Sequence, residues 1–278
     1  MGVALDDGLE SAWRGNVARA RRHLGWAEDA ACVVRPHASG VSLALAAPLD
    51  QLFTATELNE WALCAALHDR EPLQWSGLRD ALRAAAEQSS PTPASPFPAE
   101  IDEPAALARL SRVAAREQRP DLLALVDEAR SRGCPVLFDD QSLTLGAGAT
   151  SCTFDLAKLP SVADVTWHDL RPVPTALVTG SNGKTTTVRL IAACAQAQGW
   201  RAGYTCTDGV FVAGTMLESG DYSGPAGARR VLRDERVEAA VLETARGGIL
   251  RRGLAVSRAD VAVVTNVSAD HFGEYGIH

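Results

Sequence analysis

The 278-residue sequence predicts an α/β protein: a parallel sheet with flanking helices and a phosphate-binding loop, preceded by a smaller α/β region. Three observations carry that expectation. From residue 175 onward, short apolar runs alternate with helical patterns, the signature of strands joined by helices that pack on the faces of one sheet. A Gly-Ser-Asn-Gly-Lys-Thr segment stands between the first such run and the first such helix. A Pro- and Ser-rich stretch, SSPTPASPFPAEIDEP, has little to bury and separates an N-terminal region from the rest.

Taken in order, residues 1–88 read as a small α/β region. Residues 8–25 have the spacing of an amphipathic helix, and Cys32–His37 with Val41–Ala46 form a hairpin around Ala38-Ser39-Gly40. Thr54-Ala-Thr-Glu57 matches a capping box ahead of a helix over 58–67. Residues 89–103 are the linker. Residues 104–170 hold two helical stretches, 104–117 and 120–132, then a hairpin of Pro135–Phe138 and Ser142–Leu145. Residues 171–278 form the alternating region, with strands at Thr175–Thr179, Arg201–Thr205, Glu238–Leu242 and Val261–Thr265. Helices are expected at 185–198 and 225–235, and a ribbon at Val210–Leu217.

Composition narrows the function classes. Apolar residues make up 46% and charged residues 22%, ordinary for a globular chain. A net charge of −7 argues against a general nucleic-acid surface, and no apolar run reaches the ~18 residues that span a bilayer. The acidic N-terminus lacks a signal-peptide pattern, so a cytoplasmic location is expected. Six scattered cysteines without a CxxC indicate neither a zinc ribbon nor a disulfide framework. His23, His37, His68 and His168 are isolated and read as structural. Of 27 basic residues, Lys158 and Lys184 are the lysines, which draws attention to the surroundings of Lys184.

Those surroundings are Gly180-Ser181-Asn182-Gly183-Lys184-Thr185-Thr186-Thr187. Glycines let backbone N–H groups curl around phosphate oxygens, and a helix N-terminus adds partial positive charge. Lys184 is placed to reach the β- and γ-phosphates, and the Thr185 hydroxyl to ligate Mg²⁺. The strict GxxxxGK[ST] pattern would require glycine where Val178 stands, and a Gly-Asn turn capping an ordinary helix is the alternative reading. Glu243 follows a strand, on the edge where open parallel sheets bind ligands. It reads equally as a metal-reaching acid and as a cap of the next turn. Arg246-Gly-Gly-Ile-Leu-Arg-Arg-Gly253 suits anion contact or an exposed basic turn. Asp270-His271 stands beyond a further strand, able to hold a second metal or to serve structure alone.

VTGSNGKTTT, VLETARGGILRRGL and VVTNVSADHFGEYGI, in this order, resemble the central domain of the Mur ligases, with the nearest likeness to the C-terminal half of the cyanophycin synthetases. The resemblance covers about 175–278. It implies ATP-dependent ligation of a small-molecule acid to an amine through an acyl phosphate, with ATP and Mg²⁺ as cofactors. By position it assigns phosphate binding to Lys184 and the 180–186 loop, one Mg²⁺ to Thr185 and Glu243, and help with a second Mg²⁺ to His271. A weaker resemblance, over 128–148, is to the opening of an ATP-grasp region, whose long catalytic part has no room before residue 175.

The sequence ends at His278, before the further sheet and closing domain of those ligases, so an incomplete central domain is expected. Such a domain alone is expected to form no amide bond, and its open sheet edge to favour self-association. A nucleotide-binding protein without ligation and a phosphotransferase acting on a hydroxyl are the competing functions.

Overall fold

The computed structural model describes residues 6–37, 40–70 and 101–268. The expected turn at Ala38-Ser39, most of the 89–103 linker, and Asp270-His271 lie outside the described residues. The chain divides between Arg119 and Pro120 into two compact units.

The first unit contains helix α1 (Asp7–Leu24), strands β1 (Cys32–His37) and β2 (Gly40–Leu45), and helices α2 (Leu52–Arg70) and α3 (Glu103–Glu117). Asp6 caps α1 by accepting from the Leu9 N–H, and Gly25 ends it in the left-handed region. Leu9, Trp13, Val17 and Ala20 recur at helical spacing on α1 and are buried. They meet Leu58, Trp61, Ala62 and Ala65 of α2 and Ala106 and Leu110 of α3. α3 packs against α1 and α2 and belongs to this unit, so the 104–117 stretch is not grouped with the hairpin that follows it in sequence. The Thr54–Glu57 pattern falls inside α2 instead of opening it. The start of α2 is held by Glu117 instead, which accepts the N–H groups of Phe53 and Thr54 and the Thr54 hydroxyl.

The second unit opens with helix α4 (Pro120–Ser131) and a three-stranded antiparallel sheet, β3 (Val136–Phe138), β4 (Ser142–Leu145) and β5 (Cys152–Asp155). It continues with β6 (Thr175–Thr179), helix α5 (Lys184–Ala197), β7 (Ala202–Cys206), β8 (Gly209–Val212) and β9 (Thr215–Ser219). Helix α6 (Pro225–Leu232), β10 (Ala239–Glu243), helix α7 (Arg246–Arg252) and β11 (Val261–Val264) complete it. The larger sheet has the order β11-β6-β10-β7-β8-β9. β11, β6, β10 and β7 are parallel, and the 210–217 ribbon is an antiparallel hairpin continuing that sheet beyond β7.

The core lies on both faces of the parallel strands. Val188 and Ala192 of α5 cover Ala176, Val178, Ala202 and Val241 on one face. On the other, Ala228, Val231 and Leu232 of α6 pack with Val210, Val212, Ala240 and Leu242. The chain leaves β6 through α5 to β7, returns to β10 between them, and reaches β11 on the far side of β6. The strand order therefore switches direction at β6, and the carboxyl ends of the four parallel strands share one edge.

Asp139 ties the small sheet to the end of α6. It accepts the amides of Gln141 and Ser142, both at 2.9 Å, and pairs with Arg233, which also donates to Thr144 Oγ1. Burial would raise the Asp139 carboxyl, but these amides and the guanidinium outweigh it and hold the group well below the ordinary carboxylate range. Its stabilisation is therefore present above the unfolded value of about 3.9 and lost as pH falls through the depressed folded value. Asp139→Asn is expected to lower stability by about 1–2 kcal/mol at pH 7, with the difference narrowing below about pH 4. Urea unfolding at several pH values measures this. Equal stability at pH 7 would contradict the assignment.

Candidate functional site

The loop 180–183 leaves the carboxyl end of β6 and runs directly into α5. Two glycines make this turn possible. Gly180 has φ of 134°, and a Cβ there would stand 2.1 Å from Thr265 Oγ1. Gly183, with φ of 80°, is the N-cap of α5 and offers no side chain to its free N–H groups. That helix start is left open for an anion.

Lys184 folds back over the loop, its Nζ donating to the carbonyl oxygens of Gly180 at 2.8 Å and Ser181 at 3.0 Å. Thr185 donates to Glu243 Oε2 at 2.8 Å, across from the last residue of β10. Thr207, just past β7, places its hydroxyl 3.1 Å from that of Thr185. With the Thr185 proton directed at Glu243, Thr207 is the donor of that second bond. Arg189, one turn along α5 from Thr185, pairs with Asp208 at 2.6 Å and pins the 207–208 turn to α5.

Glu243 is 1% exposed, and its Oε1 has no hydrogen-bond partner. Burial pushes its carboxyl up from the ordinary value; the Thr185 hydrogen bond and the Lys184 charge oppose this, and Asp221 adds to it. An orphaned carboxylate oxygen beside two hydroxyls is an all-oxygen donor set, the kind that suits a hard cation such as Mg²⁺. Among the described residues, no group of three or more His, Cys, Asp or Glu side chains is placed to hold a metal. A cation here would thus rest on Glu243, hydroxyls and whatever oxygens a ligand brings.

The structure brings Gly180, Ser181, Asn182, Gly183, Lys184, Thr185, Thr186 and Glu243 to one sheet edge. His271 lies outside the described residues. Arg246–Arg252, read from sequence as suited to anion contact or to an exposed basic turn, is a short helix just past Glu243. Thr207 and Asn266 also stand at this edge; Asn266 belongs to the segment after β11 that the sequence places here, but neither residue was given a role, because a Thr or Asn after an apolar run gives no distinguishing signal.

No helix among the described residues is long and apolar enough to cross a membrane. Residues 178–277 match the Mur ligase middle domain. The cyanophycin synthetase of Geminocystis herdmanii is 52% identical over 114 residues, 40% of this chain and 13% of that protein. That of Trichormus variabilis is 54% identical over 101 residues, 36% of this chain and 11% of that protein. A UDP-N-acetylmuramoyl-L-alanyl-D-glutamate–2,6-diaminopimelate ligase of Xanthomonas oryzae pv. oryzae is 30% identical over 167 residues, 55% of this chain and 33% of that protein. A solved structure of a ligase of the same name aligns with 36% of this chain and 21% of its own at 26% identity and a TM-score of 0.30. The chain spans about an eighth of the length of the first of these relatives. The likeness of this chain to the Mur ligase middle domain is carried by the segment 178–277.

Proposed function

We propose that the second unit binds ATP with Mg²⁺ and serves an ATP-dependent ligase that joins a small-molecule acid to an amine. The observation that carries this reading is the bond of Thr185 to the buried Glu243, whose Oε1 is orphaned, at the mouth of a glycine-bounded loop. The relatives named ligases and synthetases support the reaction class. In this reading the α5 N-terminus receives phosphate oxygens, and Lys184 exchanges the Gly180 and Ser181 carbonyls for them. Thr185 and Glu243 hold Mg²⁺, which when bound offsets charge on the phosphates. The acid's carboxylate oxygen attacks the γ-phosphorus and the bond to ADP breaks. The amine nitrogen then attacks the acyl carbon, loses a proton, and phosphate leaves. His271 is proposed to assist with a second Mg²⁺.

Calorimetric titration with Mg·ATP tests the nucleotide site. Lys184→Ala is expected to weaken binding by about tenfold or more, since it deletes a charge that faces phosphate. Lys184→Arg is expected to weaken it less, because the charge stays although the broader fork fits a tight loop poorly. Equal affinity in all three proteins would overturn the reading. Phosphate release that needs both an acid and an amine would mark the ligase; a stable phosphorylated product would mark a phosphotransferase.

A further inference from the structure

The phosphate loop does not stand alone at the sheet edge. Its two non-glycine residues are bound from one side by the segment that follows β11. The Ser181 N–H donates to the Asn266 carbonyl at 3.0 Å. The Asn182 N–H donates to Asn266 Oδ1 at 3.0 Å, and Asn266 Nδ2 donates to the Asn182 carbonyl at 3.1 Å. Thr265 Oγ1 donates to that same carbonyl at 2.6 Å, and the Ser268 N–H donates to Ser181 Oγ at 3.0 Å. Gly180 allows this approach, since a Cβ there would stand within 3.0 Å of Asn266 backbone atoms.

One carboxamide therefore satisfies both polar groups of one loop residue. Among common side chains, that needs a donor and an acceptor on a short planar group, which asparagine supplies and aspartate does not. The location matters as much as the chemistry. A Ser-Asn pair between two glycines is a segment with high conformational freedom, and ordering it during ligand binding would subtract from affinity. The bonds to Asn266 order it beforehand. They also commit the Ser181 and Asn182 amides, so an anion is left to the first turn of α5, beyond the uncapped Gly183.

We infer that Asn266 is a positioning residue for the phosphate loop: its carboxamide fixes the loop in its binding geometry before the nucleotide arrives, and links the loop to the end of β11. Asn266 need not touch the nucleotide to do this. The inference rests on the nucleotide-binding reading above, and the test separates the two.

The experiment compares the full chain with its Asn266→Ala and Asn266→Asp variants. Amide hydrogen exchange at 181–183 is followed without nucleotide, and ATP and adenosine are titrated with Mg²⁺ present. In Asn266→Ala the Asn182 amide is expected to exchange at least about tenfold faster, and ATP to bind about tenfold more weakly. Asn266→Asp keeps the shape and the acceptor but turns an oxygen toward the Asn182 carbonyl, so its ATP affinity is expected to fall further. Adenosine, which has no phosphate, is expected to bind all three proteins alike; a merely structural role would weaken both ligands together. Unchanged exchange at Asn182, unchanged ATP affinity, or parallel loss of adenosine would each overturn the inference. Wild-type protein that binds no ATP would instead overturn the nucleotide reading, whatever the exchange data show.

Discussion

Gly180→Ala is expected to disable the proposed nucleotide site and to destabilise the second unit by about 2–5 kcal/mol. Two penalties add. The residue sits at φ of 134°, a conformation that side chains other than glycine rarely adopt. The new methyl group would also stand 2.1 Å from Thr265 Oγ1, 2.9 Å from the Asn266 carbonyl oxygen and 3.0 Å from the Asn266 nitrogen. Two of those three contacts are backbone, so the strain cannot be relieved by turning one side chain. Either β11 moves away from β6 or the loop leaves Asn266, and both displace the first turn of α5. Gly183→Ala is the control. Its φ of 80° also disfavours alanine, but a Cβ there meets nothing within 4 Å. It is expected to lose only the left-handed backbone penalty, about 1–2 kcal/mol. Urea unfolding and ATP titration of both variants check this. Equal stability losses would show that the close approach of β11 to the loop is not as described.

The strands and the loop were legible because each rests on local chemistry. Thr175–Thr179 is a short apolar run, and Gly180 and Gly183 bracket a turn that few other residues permit. The order of the strands was not legible; the meeting of Thr185 with Glu243 was reached only through the family resemblance, and other contacts that depend on that order were missed. Thr207 reaches Thr185 because β7 lies one strand from β10, and Asn266 reaches Asn182 because β11 crosses to the far side of β6. Neither adjacency follows from spacing in the chain. The start of α2 shows the same limit. Thr54-Ala-Thr-Glu57 satisfies the local capping pattern, yet a partner 63 residues downstream, Glu117, takes the Thr54 N–H and extends the helix to Leu52. β5 was missed because four residues of mixed exposure, Cys152–Asp155, give no clear alternation without their neighbour β4. α7 was hidden by its Gly247-Gly248 pair, which local propensity counts against a helix.

The same sheet edge sets two demands against each other at Glu243. The proposed cation site uses a carboxylate there, while burial disfavours its charge. Glu243→Gln is therefore expected to stabilise the cation-free second unit near pH 7 by about 1 kcal/mol and to remove its response to Mg²⁺ with ATP. The gain is modest because the new amide nitrogen inherits the orphaned position of Oε1 and forgoes part of what the lost charge returns. The pH dependence follows from the direction of the shift. Burial raises the folded Glu243 carboxyl above its unfolded value, so the folded state binds the extra proton. Wild-type stability accordingly falls as pH rises from the ordinary glutamate range, near 4.3, through the raised folded value. The glutamine variant lacks that decline, so the two proteins converge at acid pH and diverge toward neutrality. Thr185 keeps an acceptor in either case, which holds the loop in place and isolates the effect of charge. Thermal unfolding between pH 4 and pH 8, with ATP present and Mg²⁺ either absent or added, measures both halves: a rise of about 2–4 °C over wild type without cation, and no further rise when the cation is added. A variant less stable than wild type at every pH would identify Glu243 as a structural cap of the turn after β10. A variant that keeps the full Mg²⁺ response would move the cation elsewhere.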